Sequence, residues 1–340
     1  MVTVSLCMIV KNEEKVLNRC LSSMADLMDE IIIVDTGSSD RTKEVAAKYT
    51  DKIYDFPWVD DFSLARNFAF QHAVCDYIYS ADADEVLDET NRRRFLNLKS
   101  VLMSEVEIVQ MWYVEKGTQT VLNAKKEYRP KLFKRLRTFQ WVDPIHETVR
   151  TEPVVFDSDV EIFHMPEGNH STRDFQIFEL SFETEGKLSK RLYEMYAREL
   201  YKWGNTENLS KGTKIFKTIM EQEELSQEMF IDFCTVIAKT QRLLGNTSSF
   251  MKYALKVVSM TPNSEICKEL GDYYMQKEDY SEAALWYYNA IHETESTLDI
   301  HSQGKATMVA LSDCYEKLGQ GELSAHYLTE AGAWSIPEES

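Results

Sequence analysis

Apolar and polar positions alternate in two distinct ways along the chain, changing near Gly168. The apolar run Val4–Val10 predicts a buried strand that stops at Lys11-Asn12. From Glu13 the period lengthens, and Val16, Leu17, Cys20, Leu21 and Met24 line one face of a helix, with Glu13 and Glu14 in its first turn. Glu30–Asp35 is a second strand with an acid at its carboxyl end. Thr36–Asp40 predicts a turn and cap, and a helix follows through Tyr49. Lys52–Phe56 is a third strand. Ser63 is the expected cap of a helix carrying Leu64, Ala65, Phe68, Ala69 and Ala73, which leads to the apolar run ending at Tyr79. Strand and helix alternating four times in so short a span predict a largely parallel α/β sheet.

The pattern then loosens. A helix over Thr90–Met103 and a strand over Val106–Val114 precede a mixed, more antiparallel section, Arg129–Arg137 and Thr138–Val142. Pro144–Val149 and Val160–His164 each read as a strand carrying polar groups. Pro166-Glu167-Gly168-Asn169 marks a loop, so the expected domains are residues 1–168 and 169–340. Beyond Thr172 helix formers dominate. Leu270-Gly271, Tyr274, Ala283, Tyr287 and Ala290 follow the tetratricopeptide pattern of paired short helices, with weaker copies around Ile237–Pro262 and Leu311–Ala331. Cys267 stands where the consensus has tryptophan, so the second domain is expected to be TPR-like. Such helices either bind a peptide or protein, or pair two copies of the chain into a homodimer.

Composition narrows the function. A net charge of −18 argues against nucleic-acid binding, which needs a cationic surface. No apolar run approaches a membrane span, and Met1-Val2-Thr3-Val4 lacks the order of a signal peptide, so a cytoplasmic location is expected. The six cysteines contain no Cys-x-x-Cys pair and several fall on apolar faces. Neither a G-x-G-x-x-G nor a Walker A lysine is present, so a phosphate on this sheet would need neutralising by other means, for which a metal would serve.

The densest chemistry is Ser80-Ala81-Asp82-Ala83-Asp84-Glu85, three acids directly after an apolar strand. In extended backbone Asp82 and Asp84 would stand about 6–7 Å apart on one side, two strand rises. They could share one hard divalent cation, or divide between a metal and a sugar hydroxyl. The alternative is a solvated acidic turn before the helix that starts near Asp88.

Four segments together resemble a known family: Ser5–Glu14, Ile33–Asp40, Phe62–Asn67 and Ser80–Glu85. In order and spacing they resemble the family 2 glycosyltransferases of the GT-A fold, densely over residues 3 to 90 and thinly to about 170. With TPR-like helices behind, the arrangement is similar to the bacterial subgroup that includes the peptide S-glycosyltransferases of glycosylated bacteriocins. The resemblance implies an α/β GT-A domain followed by an all-α domain. It implies an inverting, metal-dependent transfer from a nucleotide-diphosphate sugar, with a UDP-sugar the expected donor and a peptide or protein among the acceptors.

Site roles follow the same resemblance. Asp35 matches the acid that binds uracil or ribose, with Thr36 where many members carry a second acid; capping the following helix is its other reading. Arg66 matches an arginine of the nucleotide site, its fork suited to a base edge or diphosphate. A surface helix arginine partnered by Asp61 or Asn67 is the alternative. Asp82 and Asp84 match the metal-binding pair, with Asp82 also on the nucleotide-sugar side. His164 stands where related enzymes place a third metal ligand, with a purely structural histidine at a strand end as the alternative; a nitrogen ligand would favour Mn²⁺ over Mg²⁺. Glu147 is the candidate general base, with Asp143 its rival and His146 orienting it or contacting substrate. Two other classes stay in view: a TPR-type scaffold with a non-catalytic sugar-nucleotide domain, and a nucleotidyltransferase. Val10-Lys11-Asn12-Glu13-Glu14 disfavours the latter, because it stands where such enzymes carry a Gly-rich loop.

Overall fold

The computed structural model describes residues 1–115, 126–136, 141–142, 144–145, 148–149, 154–165 and 171–336. The chain separates into two compact units, Met1–His170 and Ser171–Pro337.

The first unit is built on strands β1 (Val4–Val10), β2 (Glu30–Asp35), β3 (Ile53–Asp55), β4 (Tyr77–Ala81), β5 (Glu85–Val86), β6 (Ile108–Glu115), β7 (Lys126–Lys134) and β10 (Val155–His164). They form one eight-stranded sheet in the order β3-β2-β1-β4-β7-β6-β10-β5. The first four run parallel, β7 is antiparallel to both β4 and β6, and β5 is antiparallel to β10. Helices α1 (Leu17–Met24), α2 (Thr42–Ala46), α3 (Phe62–Gln71) and α4 (Glu89–Val101) connect the early strands.

Both faces of the parallel strands are buried, which the period of two explains. Val4, Leu6, Met8 and Val10 pack with Tyr77, Tyr79 and Ala81 against Leu17, Leu21, Phe95 and Leu98. Cys7, Ile32, Val34 and Ile78 face Ala69 and Ala73 on the other side. Large side chains such as Phe95, fully buried, contribute roughly 1.5–3 kcal/mol each. All loops at the carboxyl ends of β1, β2 and β4 therefore gather at one edge, where open α/β sheets bind ligands.

Several expected boundaries move. Helix α1 begins at Leu17, four residues later than the apolar period suggests. Asn12 has a φ of 59°, and the N–H groups of Glu13 and Glu14 are taken by Thr42 Oγ1 and Asp40 Oδ2, which holds this segment as a turn. The cap of α3 is Asp61, whose Oδ1 accepts from the Leu64 N–H and from the hydroxyl of Ser63, the residue expected to cap. Pro144–Val149 is not one strand: β8 (Trp141–Val142) pairs antiparallel with β9 (Thr148–Val149), and Pro144 and Ile145 form a bend between them. Pro144 has no N–H to give a ladder, which disfavours it inside a strand.

The second unit contains helices α5 (Ser171–Glu185), α6 (Lys190–Trp203), α7 (Thr206–Gln222), α8 (Gln227–Leu243), α9 (Thr247–Met260), α10 (Ser264–Gln276), α11 (Tyr280–Tyr288), α12 (Lys305–Lys317) and α13 (Gly321–Ala333). Ser189, Asn205, Ser226, Asn263 and Asp279 cap their helices by accepting a first-turn N–H. The last three pairs repeat one turn. Gly245, Glu278 and Gly319 have φ of 74°, 59° and 73°, and each donates its N–H to the carbonyl three residues back. Gly245 and Glu278 stand about one tetratricopeptide period (~34 residues) apart. Gly271 is required by close packing, since a Cβ there would lie 2.5 Å from the Tyr287 ring. The unit is TPR-like in this sense.

Between α11 and α12 an inserted segment departs from the plain repeat. The buried Glu265 carboxylate accepts the N–H groups of Thr297, Leu298 and Asp299, and Asp232 accepts the Thr297 hydroxyl at 2.8 Å. No helix among the described residues is long and apolar enough to cross a membrane.

Candidate active site

Asp35 ends β2 beside Val10 of β1, at the carboxyl edge of the sheet. Its Oδ1 accepts the N–H groups of Gly37 and Ser38, each at 2.9 Å, closing a turn that needs Gly37 at φ 104°. The helix cap is supplied elsewhere, because Asp40 Oδ1 takes the Thr42 N–H. Asp35 is 1% exposed, and its Oδ2 has no hydrogen-bond partner among the described residues. A buried carboxylate oxygen left open in this way is costly unless a donor reaches it.

Asp82 leaves the end of β4 between two cations. Arg66 Nη2, from α3, donates to its Oδ1 at 2.8 Å, while Arg66 Nη1 donates to Ser80 Oγ at 3.1 Å. Lys131 Nζ, from β7, lies 3.8 Å from Asp82 Oδ2. Burial alone would raise the Asp82 pKa; Arg66 and then Lys131 outweigh it and hold the carboxyl well below its usual range. Arg66 is thus not a surface residue of α3: its side chain is 12% exposed.

Asp84 faces a different partner. Its Oδ2 lies 3.0 Å from His164 Nε2, and both side chains are about four-fifths buried, 20% and 22% exposed. Backbone pairing makes this contact: His164 of β10 is opposite Glu85 of β5, and the Met165 N–H donates to the Asp84 carbonyl at 3.0 Å. The His164 ring centroid is 5.1 Å from that of Tyr113. So the two aspartates are split, one to the cations and one to the histidine. Among the described residues no group of three or more His, Cys, Asp or Glu is placed to hold a metal ion.

The base candidate Glu147 and its neighbours Asp143 and His146 lie outside the described residues. Their flank is placed: the Phe62 N–H at the start of α3 donates to the Pro144 carbonyl at 2.9 Å, and Ile145 is buried. The chain next to these residues is thereby tied to the helix that carries Arg66.

Sequence reasoning missed Lys131 and the part played by Glu85. Glu85 is fully buried and hydrogen-bonded to Lys131 Nζ. Burial pushes the Glu85 carboxyl above its ordinary value, against the pull of Lys131. The sequence held no clear signal for Lys131, because it is one of four cations in Arg129-Pro130-Lys131-Leu132-Phe133-Lys134-Arg135.

Residues 5–161 match the family model described as Glycosyl transferase family 2. The first unit is a family 2 glycosyltransferase domain, and its mixed sheet is that of the GT-A fold. A TPR repeat-containing protein of Synechococcus elongatus is 51% identical over 87 residues, 26% of this chain and 22% of that protein. The SPbeta prophage-derived glycosyltransferase SunS of Bacillus subtilis is 24% identical over 269 residues, 72% of this chain and 61% of SunS. The chain thus covers less than two thirds of the length of either relative. Among solved structures, glucosyl-3-phosphoglycerate synthase from Mycobacterium tuberculosis, in complex with Mn²⁺ and UDP-glucose, aligns with a TM-score of 0.39 at 13% identity, over 56% of this chain and 81% of that one.

Proposed function

We propose that this protein is an inverting glycosyltransferase that takes a sugar from a nucleotide diphosphate, with UDP as the nucleotide, and acts in the cytoplasm. The observation that carries the reading is the pairing of Asp84 with His164 at the carboxyl edge of the sheet. Two ligands bound to one ion at about 2.1 Å and at right angles stand about 3 Å apart, so the pair suits adjacent positions on one cation. An ion with two protein ligands completes its shell from substrate phosphates and water, in keeping with the lack of a third described ligand. Asp84 and His164 would hold Mn²⁺ or Mg²⁺, whose positive charge would offset charge developing on the leaving diphosphate.

The chain's own groups divide the remaining work. The open Oδ2 of Asp35 accepts a hydrogen bond from the uracil or ribose. Asp82, kept ionised by Arg66, serves the nucleotide-sugar side more readily than the metal, because its oxygens face cations. Glu147 takes the proton of the acceptor hydroxyl or thiol as the new bond forms at the anomeric carbon, opposite the departing diphosphate. An α-linked donor then gives a β-linked product. A peptide or protein is the proposed acceptor, in keeping with the resemblance to the peptide S-glycosyltransferases, and the TPR-like unit is the candidate binding element; pairing of two copies through that unit is its other use.

The test is a screen of donor hydrolysis over UDP-, GDP- and dTDP-sugars with Mn²⁺. UDP-sugar turnover that stops in EDTA and returns with Mn²⁺ is the expected result. Full turnover in chelator would refute the metal, and no turnover of any donor would favour a scaffold over an enzyme.

A further inference from the structure

The Asp82–Glu85 turn is closed by a ring of contacts. The Asp82 N–H donates to Glu85 Oε2 at 3.3 Å, and the Glu85 N–H donates to the Asp82 carbonyl at 3.2 Å. Glu85 Oε1 accepts from Lys131 Nζ, and the same ammonium lies 3.8 Å from Asp82 Oδ2. The circuit therefore grips Asp82 by both its main chain and its side chain. It also fixes the turn that carries Asp84, since Glu85 is the residue that pairs with His164 across β5 and β10.

Two features separate this ring from ordinary packing. Glu85 is 0% and Lys131 6% exposed, so each charge is out of water and depends on the other. A buried ion pair rarely adds stability over apolar residues of the same volume, while losing one partner is costly. What it does supply is direction: a carboxylate with two oxygens engaged from different sides cannot rotate.

We propose that Lys131 and Glu85 are positioning residues, which orient the Asp82–Asp84 segment so that Asp84 and His164 can hold a cation against the donor diphosphate. This rests on the donor-binding reading above. Neither residue touches the ligand; they act through the turn. Groups that orient metal ligands from behind typically change metal affinity by about 10–100-fold when removed.

The experiment measures Mn²⁺ binding directly, by the electron paramagnetic resonance signal of free Mn²⁺ in the presence of UDP, together with calorimetry of UDP in EDTA. The variants are Lys131→Met and the double variant Lys131→Met, Glu85→Gln, in which no buried charge is left alone. The expected result is a loss of Mn²⁺ affinity of about 10–100-fold, with metal-free UDP affinity within a few-fold of wild type and a cooperative thermal melt. Unchanged Mn²⁺ affinity in a folded variant overturns the proposal. So does an equal loss of metal-free UDP binding, which would make Lys131 a direct ligand contact. Failure of both variants to fold also overturns it, because the pair would then serve the sheet and not the site. If the wild-type chain binds neither UDP nor Mn²⁺ with UDP, the donor reading itself fails, and that control keeps the two failures apart.

Discussion

His164 Nε2 sits 3.0 Å from Asp84 Oδ2 although the two residues are 80 positions apart in the chain. The two-residue strand Glu85–Val86 makes the contact, by pairing antiparallel with the end of Val155–His164. A histidine and a carboxylate held this way present a nitrogen and an oxygen donor on one side of the turn.

For that pair, Asp84→Asn and His164→Ala should each remove the gain in UDP affinity that Mn²⁺ provides. Metal-free UDP affinity should stay within a few-fold, because Asp35 is on a different strand end. Isothermal titration with and without Mn²⁺ decides it; equal metal enhancement in wild type and variants would show that the ion binds elsewhere.

Asp35→Asn probes the open oxygen. The amide oxygen can still accept from Gly37 and Ser38, so the turn should survive. UDP affinity should fall by about 10–100-fold, the worth of a hydrogen bond to a charged group. A variant that binds UDP as tightly as wild type would mean that the buried Oδ2 meets no ligand.

Glu147→Gln should leave UDP affinity nearly intact and cut transfer by roughly 10²–10⁴, the usual effect of removing a general base. A thiol acceptor should suffer less than a hydroxyl, being partly ionised near neutral pH. Mass spectrometry of product on this variant and on Asp143→Asn compares the two carboxylates. Wild-type transfer in the first with a dead second would reassign the base to Asp143.

In the helical unit, Gly271→Ala places a methyl 2.5 Å from the ring of Tyr287, whose hydroxyl is held by Asp272 at 2.8 Å. The ring is buried and cannot swing aside, so overpacking should cost about 1–3 kcal/mol. Urea unfolding of the full chain measures this, and an unchanged midpoint would show that the helix pair spreads at no cost.

Asp232 gives a pH signature. Burial raises its pKa to about 6, with the Thr297 hydroxyl and Arg198 pulling the other way. Between the ordinary carboxylate range and about 6 the folded chain keeps a proton that the unfolded chain has lost. Stability from this group is thus fully present at low pH and declines as pH rises through that window. Asp232→Asn keeps an acceptor for Thr297 and should flatten this part of the profile, raising stability relative to wild type above pH ~6. Parallel unfolding profiles across the window would mean that Asp232 titrates normally.

The apolar runs of Val4–Val10 and Glu30–Asp35 were readable because both faces of those strands are buried, so nearly every position is apolar. The repeat of Gly271 with Tyr287 was readable because small and large residues at fixed spacing report helix pairing. Boundaries were less legible. The helix expected from Glu13 starts at Leu17, because side chains of Asp40 and Thr42 claim the N–H groups of the preceding turn.

At the site, sequence by itself determined which aspartates stand at the sheet edge. An acid after an apolar strand must emerge at that strand's carboxyl end, so Asp35, Asp82 and Asp84 were placed by local pattern. Tertiary structure alone decided their partners. It gave Asp82 to Arg66 and Lys131, gave Asp84 to His164, and set Glu85 under Lys131. The physical reason is that periodicity fixes the face on which a side chain lies, whereas the residue opposite is set by the register of strands distant in sequence.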